Sequence, residues 1–449
     1  MVTEIARQEN FYRKAFRSVQ EREANAGVSW LERLRENAMA RFEELGFPSV
    51  KDEEWKYTNV APIARTEFVP LAAERVAGAS ADVLASFGVA EARDSQMVFV
   101  NGELRGDLSS LTAVPEGMAV MPLSQALRDE RYAEIARADL ARHADYVANG
   151  FTALNTAFVA AGAFVYIPKG VAVKVPLHLL FITDTGEQDK LVTFPRVLVV
   201  AEANSSATLI ESYVSTSGPA AYLTNAVVEI SLADGARLEH YKVQREGPGA
   251  FHVATTAADL GASASYDSTA ITFGAQLSRH DIQVTMDREG AECWVDGLYL
   301  VATSQHTDTH SVIDHRKPHC SSHQLYKGIL DGKSRAVFNG KIFVRHDAQK
   351  TDAMQTNKNL LLSNEARVDT KPQLEILADD VKCAHGAAVG QIEEDELFYL
   401  ETRGIHPDLA RNLLTYGFAE EVIGKIKIES IRAQLDEAVL NRLNARLEA

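Results

Sequence analysis

Apolar residues recur at helical spacing near the start of the chain. Between residues 31 and 45 they return every three or four positions, after a Ser-x-x-Glu sequence at Ser29 and Glu32 that is typical of a capping box. A Gly-Phe-Pro sequence follows and predicts the end of this helix. A second helical stretch is predicted from about residue 124 to residue 161. These patterns predict a mostly helical N-terminal region over residues 1–162.

The pattern changes at about residue 163. From there to residue 390, short β-rich runs alternate with turns of small residues, and no helical periodicity is sustained. Representative predicted strands cover residues 163–167, 171–175, 196–201, 226–232, 238–243, 282–286, 294–301 and 336–344. Residues 163–390 are therefore predicted to form one β-rich unit.

The turns between these strands recur at regular intervals. Two series of similar turns punctuate the region: Asn204, Asp234, Gly261 and Glu289, about 27–30 residues apart, and Gly332, Ala348, Asn364 and Asp380, about 16 apart. Such spacing is typical of a solenoid, and many short strands without crossover helices favour a parallel β-helix over a doubly wound sheet. A pair of β-sandwiches is the main structural alternative.

Amide side chains in this region predict a stacking pattern. A parallel β-helix places like residues of successive rungs above one another, as in the amide ladders of cross-β structures. The candidates for such stacks are Gln349, Gln355, Asn357 and Asn359. Ordinary loop polarity explains the same residues equally well.

The last segment, residues 391–449, is helical again in pattern. Gly404 predicts a helix end, and Pro407 stands where the next helix would begin. The apolar residues of that helix are Leu409, Leu413, Leu414 and Phe418. A final amphipathic helix follows, with Ile428, Ile431, Leu435, Val439 and Leu443 on one stripe. This region can dock a partner or pack against its own β-helix.

Composition and charge narrow the functional class. The 449 residues are 46% hydrophobic and 24% charged, which is typical of a folded protein. A net charge of −16 argues against general binding to nucleic acid or to an anionic membrane. The sequence contains no run of about 18 apolar residues, so no membrane span is predicted. The polar N-terminus does not resemble a signal peptide. Three cysteines form no disulfide framework, so a reducing cytoplasm is expected.

One block of the chain is rich in potential metal ligands. It contains His306, His310, His315, His319, Cys320 and His323. Imidazole and thiolate groups suit zinc or iron. The spacing is weak support for a metal site, because no Cys-x-x-Cys pair accompanies it and alternation along a strand separates His319 from Cys320. Ordinary polar residues in a region of strands and turns are the favoured interpretation.

A second candidate site is the sequence Cys-Ala-His at residues 383–385. On a strand, Cys383 and His385 point to the same face. A thiolate and an imidazole together can bind a soft metal or hold sulfur, and a protonated histidine nearby favours the thiolate. Spacing alone favours a chance pattern.

The motifs of several enzyme classes are missing from the sequence. There is no P-loop, no convincing Gly-x-Gly-x-x-Gly after a strand and no Gly-x-Ser-x-Gly elbow. A β-helix can also carry a polysaccharide-cleaving site with paired carboxylates. Asp267, Asp281 and Asp296 are candidates, although nothing in their spacing singles them out. A carbohydrate-active β-helix enzyme and a stand-alone metal-binding protein using the histidine block therefore stay open as alternatives.

Several long motifs resemble a known family. They read NGKIFVRHDAQKTDAMQTNKNLLLS at 339–363, PQLEILADDVKCAHG at 372–386 and LFYLETRG at 397–404. The histidine block followed by YKGIL at 326–330, and FPSVKDEEWKY at 47–57, complete the likeness. Together they resemble the SufB/SufD family of the SUF iron–sulfur assembly system, and the N-terminal motif is similar to the SufD branch.

This resemblance implies a right-handed parallel β-helix flanked by N-terminal and C-terminal helical regions. It also implies a non-catalytic scaffold subunit that pairs with a SufB-like paralogue through the β-helix. A SufC-like ATPase is expected to dock on the C-terminal helical region, so that ATP hydrolysis is supplied by that partner. The chain alone can pair with itself, and neither nucleic acid nor membrane is an expected partner.

The resemblance also assigns roles to the Cys-Ala-His sequence. It implies that His385 lies at the interface where clusters assemble and contacts metal transiently, with Cys383 as a weaker candidate. The chain lacks the cysteine-rich N-terminal segment of SufB, so the principal sulfur-accepting cysteine is expected on the partner. No cofactor is expected to bind stably to this chain alone. A nascent cluster, and in some systems reduced flavin, is expected in the assembled complex.

Overall fold

The computed structural model describes residues 2–23, 28–70, 81–159, 161–186, 190–216 and 218–448. The helices before the solenoid are α1 (Val2–Glu23), α2 (Ser29–Leu45), α3 (Ala61–Ala64), α4 (Ala81–Phe87), α5 (Leu123–Ala126), α6 (Ala133–Asp139) and α7 (Gly150–Ala157). The short strands among them are β1 (Val69–Pro70), β2 (Gln96–Val100), β3 (Glu103–Leu104) and β4 (Ala119–Pro122). None of the described helices is long and apolar enough to cross a membrane.

Strands then follow one another to residue 390. They are β5 (Gly162–Ile167), β6 (Leu177–Thr183), β7 (Leu191–Thr193), β8 (Arg196–Ala201), β9 (Ser206–Ser215), β10 (Tyr222–Leu232), β11 (Arg237–Arg245), β12 (Phe251–Leu260), β13 (Ser265–Thr272), β14 (Leu277–Met286), β15 (Glu292–Val301), β16 (His306–His315), β17 (Ser321–Leu330), β18 (Arg335–Val344), β19 (Asp352–Leu361), β20 (Arg367–Ile376) and β21 (Lys382–Gly390). The C-terminal helices are α8 (Glu394–Thr402), α9 (Pro407–Ile423) and α10 (Glu429–Glu448).

The strands form a parallel β-solenoid of two sheets. From β8 onward, even-numbered strands stack in one sheet, which we call sheet A, and odd-numbered strands stack in the other, sheet B. All ladders between these strands are parallel. Apolar side chains from the facing sides of both sheets form one continuous core along the solenoid. The predicted parallel β-helix with helical regions at both ends is confirmed.

The two turn spacings have one structural explanation. The turns from Asn204 to Glu289 all lie on the same edge, where sheet A strands pass to sheet B, so their spacing is one full rung. The turns from Gly332 to Asp380 alternate between the two edges, so about 16 residues is half a rung.

Two predicted elements are wrong in detail. Residues 171–175 do not form a strand, because the segment lies between a turn and Pro176 and pairs only through the bridge from Ala172 to Ser206. The proposed capping box is also wrong, because α2 begins at Ser29 with Val28 as its N-cap, and no side chain caps it.

The predicted helix over residues 124–161 is instead three short helices, α5 to α7. The break between α6 and α7 is held by Glu229 of β10, whose buried carboxylate accepts hydrogen bonds from the backbone N–H groups of Ala141, His143 and Ala144 at 2.9–3.1 Å. Arg196 pairs with the same carboxylate inside the protein. A side chain distant in sequence therefore stabilises a turn that helical periodicity does not predict.

The helical regions cover both outer faces of the solenoid. The N-terminal helices pack on sheet A through aromatic and aliphatic residues, except α4, which packs on β2 and β6 of sheet B. The stripe predicted from Ile428 to Leu443 is buried against sheet B. The final helix therefore packs on its own solenoid, which decides between the two alternatives for that stripe.

Candidate functional site

The solenoid ends in a rung with two open strand edges. Among the described residues, β20 and β21 each pair with a single neighbouring strand. Unpaired N–H and C=O groups along an edge strand are a template for pairing with another chain. The large apolar side chains Ile376, Leu377 and Val389 are exposed at the same rung. We call this surface the open end.

His385 and Cys383 both lie on β21 at the open end. Their side chains share the face that is directed toward the solenoid interior, in register with Gln355 and Ala353 of β19. His385 is exposed because β21 is the last strand of its sheet. Cys383 is half-buried against the core, and burial raises the pKa of its thiol. A neutral thiol is a weak nucleophile and a weak ligand, so His385 is the more available of the two groups.

A row of polar side chains runs inside the solenoid toward His385. Ser311 Oγ lies 2.9 Å from Gln324 Nε2, and Gln355 Nε2 donates to Gln324 Oε1 at 2.7 Å. Gln324 and Gln355 are register partners on β17 and β19, so the stack predicted for Gln355 is present. We call Ser311, Gln324 and Gln355 the amide column.

The other predicted stacking residues have different roles. Asn357 and Asn359 bond to each other at 2.6 Å along β19, and Asn359 Oδ1 accepts from Tyr299. Gln349 lies in the turn before β19, where its Oε1 accepts a hydrogen bond from the backbone N–H of Asp380. The prediction of stacked amides is therefore right for Gln355 and wrong for Asn357, Asn359 and Gln349.

The histidine block is divided among four parts of the molecule. His306 and His310 lie on the outer face of sheet A, and His315 is fully buried inside, with Nε2 2.8 Å from Ser322 Oγ. The remaining members are His319 in an exposed turn, Cys320 buried in the core and His323 stacked on Trp294 of sheet B. Within the described ranges, no three His, Cys, Asp or Glu side chains converge on a position for a metal ion.

The outer histidines contact the N-terminal motif instead. Residues 52–58, which we call the strap, lie across sheet A. Glu54 Oε2 lies 3.2 Å from His310 Nδ1, and Thr58 Oγ1 lies 2.8 Å from His306 Nε2. Sequence reasoning missed this contact, although the acidic strap and the basic side chains of sheet A have opposite charges.

Two further contacts join the strap to sheet A, one at Trp55 and one at Glu53. The guanidinium of Arg279 stacks on Trp55, 4.0 Å from the ring centroid, and pairs with Asp281 and Asp308 at 2.7 Å each. The hydrogen bond from His310, together with nearby cations, lowers the pKa of Glu54 to about 2 despite its partial burial. Glu53 extends the strap to Lys371 of β20, at 2.9 Å. The N-terminal motif thus reaches the last rung.

The three aspartates proposed for a hydrolase lie on two different sheets. Asp281 is on sheet A and is paired with Arg279. Asp267 and Asp296 are on sheet B, where Lys425 binds Asp296 at 2.6 Å. Since the two sheets face opposite sides of the molecule, Asp281 cannot flank one glycosidic bond together with Asp267 or Asp296.

The predicted docking residues of α9 fall into two groups. Leu409 and Leu413 are exposed, whereas Leu414 and Phe418 are half-buried. The ring centroid of Phe418 lies 3.8 Å from Nζ of Lys327 on sheet B. Sequence reasoning missed Phe398 and Tyr399 of α8, which are also exposed. We use the name helical patch for the exposed large apolar side chains of α8 and α9, which are Phe398, Tyr399, Leu409 and Leu413.

Comparison with known proteins gives one consistent result. The family model for the SUF system FeS cluster assembly SufBD core domain matches residues 181–418, and the model for the SufBD protein N-terminal region matches residues 6–179. An iron–sulfur cluster assembly SufBD family protein of Synechocystis is 37% identical over 417 residues, covering 90% of this chain and 89% of the relative. SufD of Escherichia coli is 34% identical over 409 residues and 90% of each chain.

A plant relative extends the comparison. The chloroplastic protein ABCI7 of Arabidopsis thaliana is 29% identical over 416 residues, covering 90% of this chain and 84% of the relative. Its name places that protein in the chloroplast, so location differs within this group of relatives. Since the core model alone covers more than half of the chain and adjoins the N-terminal match, the chain belongs to the SufBD family of iron–sulfur cluster assembly proteins.

Proposed function

We propose that this protein is a non-catalytic scaffold subunit of a cytoplasmic SUF-type complex. Its open end pairs with a SufB-like paralogue, and its helical patch holds a SufC-like ATPase. The nascent cluster assembles where the two solenoids meet, with His385 contributing a transient ligand. Neither the cluster nor reduced flavin binds stably to this chain by itself.

The observation that carries this proposal is the position of His385 at the open end. Two unpaired strand edges and exposed apolar residues favour strand-to-strand pairing with a second solenoid. An exposed imidazole at that surface becomes enclosed by the partner, so a ligand shared between two chains is created only in the complex.

The contacts of α9 suggest how an ATPase acts on this site. Lys327 of β17 donates to Glu421 at 2.6 Å, and Lys425 donates to Asp296 of β15 at 2.6 Å. A partner that moves α9 would therefore pull on β17 and β15 of sheet B, which lie two and three strands before β21. ATP hydrolysis drives such a change only if the two nucleotide states bind the scaffold differently.

Complex formation tests the pairing. The chain is co-expressed with a SufB-like and a SufC-like protein, and the eluted complex is assayed for subunits, iron and sulfide. We expect a stoichiometric complex, which Val389→Asp at the open end should break because a carboxylate would lie in the interface. Val147→Asp, at a similarly exposed site in the N-terminal region, is the control. An unchanged complex with Val389→Asp would place the interface elsewhere.

The helical patch is tested with a matched pair of variants. Leu413 on α9 is 45% exposed and Leu440 on α10 is 44% exposed, so an aspartate at either site should fold. Leu413→Asp should abolish retention of the ATPase, whereas Leu440→Asp should retain it. Equal retention by both variants would contradict the assignment of the patch.

The role of His385 is tested in cells. His385→Ala should leave the complex intact and depress the activity of iron–sulfur enzymes that depend on the SUF system. His346→Ala changes another exposed histidine and serves as the control. Normal cluster-enzyme activity in the His385→Ala strain would remove this residue from the mechanism.

A further inference from the structure

We propose that Gln355 is the positioning residue of His385. Its side-chain oxygen accepts a hydrogen bond from one ring N–H, so that the other ring nitrogen keeps its lone pair for a ligand at the open end. This inference rests on the proposed function for its purpose, although its geometry concerns the isolated chain.

The amide column determines which end of the Gln355 side chain is available. Gln355 Nε2 donates to Gln324 Oε1 at 2.7 Å, and Gln324 Nε2 is committed to Ser311 Oγ at 2.9 Å. Each amide therefore directs its N–H₂ group into the column. The Oε1 atom of Gln355 is left as an acceptor at the end of the column.

That acceptor is buried and has no hydrogen-bond partner within the part of the chain that the structure describes. Gln355 is 1% exposed. A buried carbonyl oxygen without a donor is costly, so native proteins almost always supply one. His385 is the register partner of Gln355 in the next rung, and its side chain lies on the same face. The next rung therefore offers the imidazole of His385 as a donor for this oxygen.

The facing sheet makes room for this arrangement. A Cβ atom at position 340 would lie 2.2 Å from Gln355 Nε2. Replacing Gly340 of β18 with any other residue would therefore displace the amide. Glycine at this position allows the amide to extend across the interior. The hydrogen bond to Gln324 therefore orients the Gln355 amide, and the absence of a side chain at Gly340 leaves room for it.

The chemical consequence concerns the histidine tautomer. A neutral imidazole has one N–H donor and one lone pair, and a hydrogen bond at one nitrogen decides which nitrogen holds the lone pair. Partners of this kind orient metal-binding histidines and fix their tautomer. Gln355 would hold the lone pair of His385 toward the partner solenoid before any cluster is present.

The tautomer of His385 is a direct test. The full chain, without partners, is labelled with ¹⁵N-histidine, and long-range ¹H–¹⁵N spectra are recorded above about pH 8, where an ordinary imidazole is neutral. The His385 signals are assigned by their loss in His385→Ala. We expect one dominant tautomer in the wild type and a mixture of both in Gln355→Met. Met354→Gln, on the opposite face of β19, should leave the spectrum unchanged.

A mixed tautomer in the wild type would overturn the proposal, even if Gln355→Met failed to fold. A single tautomer that survives in Gln355→Met would overturn it as well. In the complex, Gln355→Met should lower cluster formation by about 10-fold, the lower end of the usual effect of losing such a partner. A normal result for His385→Ala in cells would sink the proposed function without changing the tautomer measurement, so the two failures are distinguishable.

Discussion

Two histidine motifs of this chain occupy different positions in the same solenoid. The block from His306 to His323 lies on inner rungs, where strands on both sides and the strap occupy most of its side chains. His385 lies on the last rung and is exposed. Position along the stack, rather than residue type, therefore decides which imidazole is available for chemistry.

The physical reason is the stacking of rungs. In an inner rung each side chain has a neighbour above and below, so a polar group must find a partner or pay the cost of burial. In the last rung one of these neighbours is missing. The four predictions below concern the free energy of unfolding and test this difference.

The largest effect is expected at Arg279, on the inner rungs. Arg279→Met removes the guanidinium that pairs with the buried carboxylate of Asp308, which should cost about 3–5 kcal/mol of unfolding free energy. Arg316→Met removes a similar pair at an exposed arginine and should cost at most about 1 kcal/mol. Chemical denaturation measures both. Equal losses would show that the Arg279 network is not specially buried.

A pH-dependent effect is expected at His315. Burial lowers its pKa from 6.5 to about 4, so the unfolded chain binds the proton more readily than the folded chain. The contribution of His315 to the unfolding free energy is therefore fully present above pH 6.5. It falls by about 3 kcal/mol as the pH falls toward 4. In His315→Gln this part of the pH dependence should vanish. If the unfolding free energies of wild type and His315→Gln changed equally with pH, the prediction would be wrong.

The opposite sign is expected at His310. Burial alone would lower its pKa, but Asp308 and the hydrogen bond to Glu54 raise it. Its stabilising contribution is therefore present below the ordinary histidine pKa and is lost as the pH rises through the raised value. Denaturation across this range should show the advantage of wild type over His310→Gln shrinking with rising pH. The change should be smaller than at His315, because Glu54 is largely exposed to solvent.

The smallest effect is expected at His385. His385→Ala should lower the unfolding free energy by only about 1 kcal/mol, the usual net value of the one hydrogen bond proposed to Gln355, because the side chain is otherwise exposed at the open end. The measurement is made on the isolated chain. A loss of several kcal/mol would show that His385 is structural, as the inner histidines are, and would remove the contrast between the two motifs.

Much of the architecture could be predicted from the chain alone. Regular turns and short β-rich runs indicate stacked rungs, since each rung repeats the same local chemistry. The predicted strand at residues 196–201 coincides with β8. The break between α6 and α7 was not predictable, because it depends on Glu229, more than 80 residues away.

The candidate site was only partly accessible to the same reasoning. Alternation along a strand places Cys383 and His385 on one face, as the structure confirms. Their different exposure depends on where the stack ends, and the strap contact depends on a segment more than 200 residues away. The helical patch includes Phe398 and Tyr399. The spacing of apolar residues in α8 did not predict that these two side chains are exposed.

The sequence by itself determined the rung repeat, the alternation of faces and the helical ends, because these follow from short-range spacing and turn chemistry. The tertiary structure alone decided which histidines are occupied, that burial raises the pKa of the Cys383 thiol, and that Gln355 ends a column of amides beneath His385. Those properties depend on burial and on neighbours brought in by stacking, and neither is encoded in local pattern.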